Sequence, residues 1–250
     1  KQGKSFIIFS KTFGGDEGDS GNSVQQTIDG GYIVTGSTNS YGGDDSDVWL
    51  LKTDSQGNEQ WSQTFGGSDY DKANSVQQTT NGGFIITGIT SSFGSGNYDV
   101  WLIKTGSQGN EEWNKTFGGS GNDKGYSVIQ TMEDGFILLG STESDSSGNQ
   151  DVWLIKTDSQ GNEEWKKIYD GNTGDTGYSV QQTTDGGYII TGYLESSENV
   201  NSHNLCLIKT DSNGDPAWRD DLDTTIANTN TTYSISCVNG DNADEEIIRL

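Results

Sequence analysis

Residues 47–53 read DVWLLKT, and this stretch decides the fold because it returns along the chain at a nearly constant interval. It recurs as DVWLIKT at 99–105 and at 151–157, and in the weaker form NLCLIKT at 204–210. The closing threonine moves from position 53 to 105, 157 and 210, in steps of 52, 52 and 53 residues. Self-similarity at one period indicates a structural unit that is copied along an array.

The second copy of the unit predicts four short strands. They are SVQQT at 75–79, FIITG at 84–88, 99–105 and 111–117. β-Branched and aromatic residues between Gly/Asn/Ser/Asp-rich turns are typical of strands, and no helical period of useful length appears. The third strand is apolar on both faces, which fits a sheet packed between two neighbours. Four strands in about 50 residues is the size of one β-propeller blade.

The number of blades follows from the first strands and from the chain ends. The first strands begin at Ser23, Ser75, Ser127 and Ser179, and the tail aligns well enough to place a second strand at Tyr233–Cys237. We therefore predict a single all-β domain over residues 1–250, a five-bladed β-propeller of four-stranded antiparallel blades. Pairing of residues 5–13 with 245–250 closes the ring and removes exposed sheet edges. The predicted blades span about 23–65, 75–117, 127–169, 179–219, and 224–250 together with 5–13.

The composition suits short strands and an acidic surface. Only 29% of residues are hydrophobic, yet there are 7 Trp, 10 Tyr and 8 Phe beside 36 Gly, which is typical of strands joined by polar turns. The net charge of −23 argues against nucleic acid and anionic membranes as partners, and it favours cations. No apolar run approaches the roughly 20 residues that span a bilayer. No signal peptide is visible, so we expect a mature or trimmed product.

The same composition favours an extracellular or cell-surface location. Two sequons, beginning at Asn114 and Asn230, are compatible with glycosylation. Such triplets also arise by chance in a chain rich in Ser, Thr and Asn.

The repeats resemble those of a known group of proteins. The segments DVWLIKTDSQGN (151–162), GYSVQQT (177–183) and DGGYIITG (185–192) are similar to repeats of secreted and cell-surface bacterial and archaeal propeller proteins, which are related to tryptophan-docking, pyrroloquinoline-quinone-like propellers. The resemblance implies the fold and a surface or secreted setting, and it carries over no cofactor. The family motif falls, with one residue fewer between aspartate and glycine, on Asp54, Gly57 and Trp61 and on Asp158, Gly161 and Trp165.

Tryptophan recurs at two positions of the unit. Exposed aromatic rings could stack on sugars, but we expect these side chains to dock between blades and to supply a core that few aliphatic residues can supply. They are Trp61, Trp113, Trp165 and Trp218 on the fourth strands, with Phe9 in the split blade, and Trp49, Trp101 and Trp153 on the third strands.

A repeated aspartate lies four residues before the serine of each first strand. Carboxylates in Gly-rich loops are the ligands that Ca²⁺ needs, which makes calcium a candidate cofactor. The alternative is an aspartate whose side chain accepts hydrogen bonds from nearby amides and fixes a tight turn in every blade. Both interpretations remain open for Asp19, Asp71, Asp123 and Asp175.

Three further features have structural interpretations. The segment Asp211–Asp215 resembles a calcium-loop start but predicts a turn. The lone His203 predicts a solvated loop residue rather than a metal ligand. Cys206 and Cys237 are candidates for a disulfide between neighbouring blades, or for two separate buried thiols.

The sequence offers little for catalysis. Five-bladed glycosidases carry carboxylates near the centre of the ring, where this chain has Gln25, Gln77, Ile129 and Gln181. Amides do not relay protons near neutral pH, so we expect no enzymatic activity, with glycoside hydrolysis as the weaker alternative.

The loops indicate where a ligand binds. The connections from second to third strands and from fourth to following first strands share one face and are long and varied, and Glu195–His203 differs most from its counterparts. Function tends to reside on such loops. We therefore expect a non-catalytic extracellular binding, adhesion or structural module whose partner is a protein or a glycan at a cell surface. A lectin with repeated sites between blades is the alternative.

Overall fold

The computed structural model describes residues 9–43, 45–144, 148–170, 174–196, 199–216 and 230–234, with residues 196, 199–202 and 230–234 described through their backbone alone. This part of the chain is all-β, with sixteen strands and no helix. Consequently no helix that could cross a membrane is found in the described ranges.

The first two repeats fold as four-stranded antiparallel sheets in which neighbouring strands follow chain order. In the second repeat the predicted third and fourth strands have the observed bounds, which confirms those assignments. The strands are β1 (Asp19–Gln26), β2 (Tyr32–Thr38), β3 (Asp47–Thr53) and β4 (Glu59–Phe65), then β5 (Asp71–Gln78), β6 (Phe84–Thr90), β7 (Asp99–Thr105) and β8 (Glu111–Phe117).

The third and fourth repeats fold in the same way, although only three strands of the fourth lie within the described residues. The predicted loop Glu195–His203 is wrong, because its two ends extend the strands on either side and pair with each other. Trp218 lies outside the described residues. The strands are β9 (Lys124–Gln130), β10 (Phe136–Thr142), β11 (Asp151–Thr157) and β12 (Glu163–Asp170), then β13 (Thr176–Gln182), β14 (Tyr188–Ser196) and β15 (Asn199–Thr210).

The first strand of each sheet begins earlier than the sequence predicts. Strand β5 starts at Asp71 rather than Ser75, and its register with β6 shifts between Ala73 and Ser75. The extra residue there, Asn74, is a β-bulge, and a bulge breaks the two-residue alternation by which strands are recognised. Opposite the bulge stands Gly88, where a Cβ would lie 1.9 Å from the carbonyl oxygen of Lys72.

Successive sheets stack face to face through apolar layers. We call the four sheets blades 1–4 and the layers between them seams 1–3. In seam 1, Ile33 and Leu50 of blade 1 pack with Ala73, Ile86 and Trp101 of blade 2, and seams 2 and 3 repeat this pattern. Every residue of the third strands β3, β7 and β11 is buried, as expected for sheets with a neighbour on each side. The described strands fit a β-propeller, whose closure they do not include.

The chain ends correct one assignment. The described residues of Tyr233–Cys237, Tyr233 and Ser234, do not form the second strand of an antiparallel fifth blade. They belong to β16 (Asn230–Ser234), which pairs in parallel with β12. The outer edge of a blade presents unpaired backbone groups, and such an edge accepts an added strand. Residues 245–250 lie outside the described residues, and Phe9–Phe13 has no strand assignment.

Candidate functional site: the loop face and the seams

The glutamines of the first strands bind neighbouring blades together. The side-chain oxygen of Gln25 accepts the backbone N–H of Gln78 at 2.6 Å, and Gln77 accepts that of Gln130 at 2.6 Å. Backbone N–H groups of Val76, Val128 and Val180 donate in the same manner to Ser23, Ser75 and Ser127. The amides are thus used for packing between blades.

The tryptophans dock between blades as predicted. On the third strands, Trp49, Trp101 and Trp153 are buried. On the fourth strands each ring lies against an aromatic ring of the following blade, with centroids about 6 Å apart. The pairs are Trp61–Phe84 at 5.8 Å, Trp113–Phe136 at 5.9 Å and Trp165–Tyr188 at 6.1 Å.

The repeated aspartates fix loops, as the turn interpretation predicts. Asp71 Oδ2 accepts the N–H of Gly67 at 2.9 Å and the hydroxyl of Ser92 at 2.7 Å, so that one carboxylate ties together both loops of its blade. Asp19 makes the same bonds with Gly15 and Ser40. The pKa of Asp19 is lowered, because these hydrogen bonds together outweigh the opposing desolvation, which is the largest single contribution. Asp123 repeats the pattern with Gly119, Thr142 and Ser144.

Across each seam a second aspartate, which the sequence analysis missed, faces one of these repeated aspartates. The repeated aspartates concerned are Asp71, Asp123 and Asp175. The first residues of the third strands are Asp47, Asp99 and Asp151, all buried. The backbone brings them close to the following blade through one repeated hydrogen bond. The N–H groups of Asp71, Asp123 and Asp175 donate at 2.6–2.7 Å to the carbonyls of Ser46, Tyr98 and Gln150, which precede those aspartates.

The carboxylates of seam 1 approach each other over Gly66. A Cβ on Gly66 would lie 1.7 Å from Asp47 Oδ1 and 2.9 Å from Asp71 Oδ2, so the two oxygens are no farther apart than those distances combined. Gly118 has the same relation to Asp99 and Asp123, at 1.9 and 2.7 Å. Like charges about 4 Å apart near a protein surface repel by about 4 kcal/mol. Because glycine has no Cβ, the carboxylate oxygens can approach Gly66 and Gly118 this closely.

Asp47 is buried and only one of its two oxygens has a hydrogen-bond partner. It is 3% exposed, and its Oδ2 accepts the N–H of Gly43 at 2.6 Å, whereas its Oδ1 is buried without a hydrogen-bond partner. Its pKa is raised, chiefly by burial and further by the charge of Asp71.

In seam 3, Asp170 takes the place of Gly66 and Gly118, and one carboxylate oxygen from each of Asp151, Asp170 and Asp175 lies within 4.8 Å of the others.

The loop face, formed by the long connections between strands, exposes two aromatic rings at equivalent positions. Tyr41 and Phe93 are 47% and 43% exposed. Each ring rests on the buried tryptophan of its own blade, Trp49 at 5.8 Å and Trp101 at 5.2 Å between centroids.

Blades 3 and 4 present a different aromatic group near the loop face, which the sequence analysis also missed. Tyr126 and Tyr178 stand at the bulge positions occupied by Asn22 and Asn74 in blades 1 and 2, and their rings are 5.2 Å apart. We call Tyr126, Tyr178, Tyr193 and His203 the aromatic patch, in which Tyr193 lies 5.9 Å from Tyr178 and 4.5 Å from His203. His203 is exposed, as predicted, but it lies on β15 rather than in a loop.

The other predicted residues that the structure describes lie in the core, on strands and in a turn. Cys206 is buried in the core, and Cys237 lies outside the described residues, so the disulfide stays a prediction. Asn114 is exposed, but its amide donates to Glu111 and accepts from Trp101. Asn230 lies on β16. The segment Asp211–Asp215 is the predicted turn, with Asp211 Oδ1 accepting the N–H groups of Asn213 and Asp215.

Comparisons with known proteins add little. No protein-family model and no curated protein matches the sequence. Among solved structures, the chain is similar to a protein of unknown function from Bacteroides caccae, with 10% identity and a TM-score of 0.49, over 79% of this chain and 65% of that chain. The chain therefore spans less than two thirds of that protein's length. At this similarity the match bears on neither fold nor function, and the resemblance to tryptophan-docking propellers stays a prediction.

Proposed function

We propose that this protein is a non-catalytic binding module that acts outside the cell or at its surface, with the loop face as its ligand face. The observation that carries the proposal is the pair Tyr41 and Phe93, half-exposed rings that stand at the same place in two successive blades. Aromatic side chains on loops held by a rigid scaffold are typical of recognition surfaces.

The loops that carry these rings are held in place by the blades. Ser40 and Ser92 precede the two rings, and their hydroxyls donate to Asp19 and Asp71 at 2.8 and 2.7 Å. A surface that is fixed before binding loses less conformational entropy on association. This supports a rigid docking face rather than loops that fold around a ligand.

The proposal includes the absence of catalysis. The central glutamines Gln25 and Gln77 are engaged in hydrogen bonds between blades, and neutral amides cannot act as a glycosidase acid or base. Glycoside hydrolysis is the weaker alternative. Turnover of a polysaccharide that disappears when a carboxylate near the centre of the ring is replaced by its amide would establish it.

Carbohydrate recognition is the second candidate function, and the aromatic patch favours it. Tyr178 is 50% exposed and His203 is exposed beside it. Rows of accessible rings stack on the apolar faces of sugars. A glycan is therefore the alternative ligand to a protein partner.

We also propose that the array closes as a five-bladed ring, with the fifth blade between blades 4 and 1. Val24, on the open side of blade 1, is 66% exposed, whereas its counterpart Val76 is 6% exposed. Leu205 and Leu207, on the open side of blade 4, are 79% and 56% exposed. A further sheet would bury both faces. Closure as the sequence predicts it requires residues 230–234 to leave β12.

A binding experiment tests the proposed function. The full chain would be screened on glycan arrays and against extracellular proteins, and the ligand found would then be titrated against Tyr41→Ala, Phe93→Ala and Tyr178→Ala. Loss of at least about tenfold in affinity in Tyr41→Ala and Phe93→Ala supports the loop face, and loss confined to Tyr178→Ala supports the aromatic patch. Ile28→Ala is the matched control, since Ile28 is 92% exposed on the opposite face. Equal affinity in all four variants would contradict the proposal.

A further inference from the structure

Among the described residues, the carboxylates that meet in seams 1 and 2 take part in no ion pair. Asp47 and Asp71 are 3% and 0% exposed, and Asp99 and Asp123 are 2% and 0% exposed. The ion pairs recorded among the described residues join lysines to other acids and include none of these four aspartates. Buried charges are normally paired or coordinate a metal ion.

The carboxylates of seam 1 meet beside Gly66, and one of the oxygens there has no hydrogen-bond partner. Asp47 Oδ1 is buried without a hydrogen-bond partner, and it is the atom that a Cβ on Gly66 would strike at 1.7 Å. Asp71 Oδ2 lies 2.9 Å from the same Cβ position, and Asp71 Oδ1 is likewise buried without a hydrogen-bond partner. The hydrogen bonds from Gly43 and Gly67 account for the other oxygen of Asp47 and for Asp71 Oδ2, so they do not satisfy Asp47 Oδ1.

We propose that the seams bind divalent cations, Ca²⁺ above all, between the aspartate that begins a third strand and the aspartate that begins the first strand of the next blade. Seam 1 uses Asp47 and Asp71, seam 2 uses Asp99 and Asp123, and seam 3 uses Asp151 and Asp175. Ca²⁺ takes roughly six to eight oxygen ligands, and backbone carbonyls of the glycine loops and water complete its coordination.

Seam 3 carries a third carboxylate at the position of Gly66 and Gly118. Asp170 follows Tyr169 at the end of β12, at the position where Gly66 and Gly118 follow Phe65 and Phe117. One carboxylate oxygen from each of Asp151, Asp170 and Asp175 lies within 4.8 Å of the other two. Higher ligand charge tightens calcium sites, so seam 3 is the tightest of the three.

Each proposed site uses two aspartates, of which the sequence indicated only the one that begins a first strand. Asp71, Asp123 and Asp175 belong to the sites, but each supplies one side of a seam. Asp19 begins blade 1, and no blade precedes it among the described residues. Because both ligands come from different blades, a bound cation would hold successive blades together.

Calcium binding by the full, metal-stripped chain tests the proposal. Titration would be performed by calorimetry in about 150 mM NaCl, which screens diffuse attraction to the acidic surface. Tb³⁺ luminescence gives a second readout, since Tyr70 and Tyr98 directly precede two of the ligands and can sensitise it. Saturable binding at one ion per seam is expected.

Two isosteric variants locate the ions. Asp47→Asn and Asp99→Asn should each lower the stoichiometry by one. The matched control is Asp69→Asn, which removes the same charge from an exposed position two residues before Asp71 and should leave the stoichiometry unchanged.

Thermal unfolding separates a cation site from a merely structural carboxylate. In chelator, Asp47→Asn should be at least as stable as the wild type, because it removes an uncompensated buried charge. In millimolar Ca²⁺ it should be less stable than the wild type. Absence of saturable Ca²⁺ binding by the wild type, or full stoichiometry retained in both Asp47→Asn and Asp99→Asn, would overturn the proposal and leave a shared proton between the carboxylates as the explanation.

Discussion

The ring of Phe9 lies 5.9 Å from the ring of Tyr32, the same relation that Trp61 has to Phe84 at 5.8 Å. The two rings also have equivalent neighbours in the following turn. A Cβ on Gly57 would strike Phe9 just as one on Gly109 would strike Trp61. Residues 9–13, the described part of the N-terminal segment, therefore lie against blade 1 as a fourth strand lies against the blade that follows it, although they are not assigned as a strand.

A second contact supports this equivalence. Lys11 donates to the side chain of Asn58 across 47 positions of sequence, and Lys115 donates to Asn162 across the same interval. Phe13 lines a cavity of about 200 Å³ with Val34, Trp49 and Leu51 on the open side of blade 1. In seam 1, side chains from strands of the preceding blade fill the corresponding space.

The first prediction concerns Phe9. Phe9→Ala should lower the free energy of unfolding by about 1–2 kcal/mol, less than for a fully buried ring because Phe9 is 40% exposed. Phe9→Trp, which restores the residue of the other blades, should be tolerated. Urea unfolding of the full chain measures both variants. If Phe9→Ala unfolds at the wild-type midpoint, the N-terminal segment does not serve as a fourth strand.

The sequence predicted the parts of the fold that repeat locally. The all-β class, the third strands and the docked tryptophans follow from β-branched and aromatic periodicity, which is a property of neighbouring residues. The bulges concealed the starts of the first strands, because Asn22 and Asn74 interrupt the alternation. The pairing of residues 230–234 with β12 could not be predicted, since an open edge accepts many partners.

The candidate sites show the same limit. The aspartate before each first strand was recognised because it recurs at a fixed offset. Asp47 and Asp99 recur just as regularly, but as the first residues of apolar strands they resembled strand boundaries. Only the packing of blades brings Asp47 to Asp71, about half a repeat further along the chain. The signal that could have revealed the site is the Gly66 and Gly118 position, which becomes Asp170 in the third repeat.

A second prediction follows from the glycine opposite each bulge. A Cβ on Gly88 would lie 1.9 Å from the Lys72 carbonyl oxygen and 2.7 Å from Ala73 Cα, both backbone atoms that cannot move without disturbing the sheet. Gly88→Ala should therefore destabilise by about 3 kcal/mol, at the upper end of overpacking effects. Gly18→Ala is the control, since nothing lies within 4 Å of its Cβ. Chemical denaturation measures both, and equal midpoints would show that the bulge is not rigid.

The third prediction tests the glutamine bonds between blades. Gln77→Ala removes the acceptor of the Gln130 N–H, a 2.6 Å hydrogen bond, and should cost about 1 kcal/mol because a partly buried donor loses its partner. Gln77→Glu keeps an acceptor oxygen and should cost less. Gln56→Ala, at an exposed turn position, controls for general effects of the substitution. If Gln77→Ala loses no more unfolding free energy than Gln56→Ala, these amides do not contribute to the packing of blades.

The fourth prediction concerns alkaline pH and Tyr188. Burial, with smaller contributions from Glu133, Glu164 and Asp211, raises the pKa of Tyr188 to about 12 from an unfolded value of about 10. Between these values the unfolded chain loses the phenolic proton while the folded chain keeps it, so stability falls as pH rises through this range, by up to about 2 kcal/mol.

Tyr188→Phe should remove that component of the pH dependence. The substitution is expected to be mild at neutral pH, because blades 2 and 3 carry Phe84 and Phe136 at the same position and both are 1% exposed. The measurement is the unfolding free energy of both proteins in urea at pH 8 to 12. If the wild type is the more stable protein at neutral pH, the two values should converge at the alkaline end. If the two proteins start equal, the variant should become the more stable one as the pH rises. Parallel curves for wild type and variant across the whole range would mean that the phenol of Tyr188 ionises equally easily in the folded and unfolded states, and that seam 3 is open to water at this point.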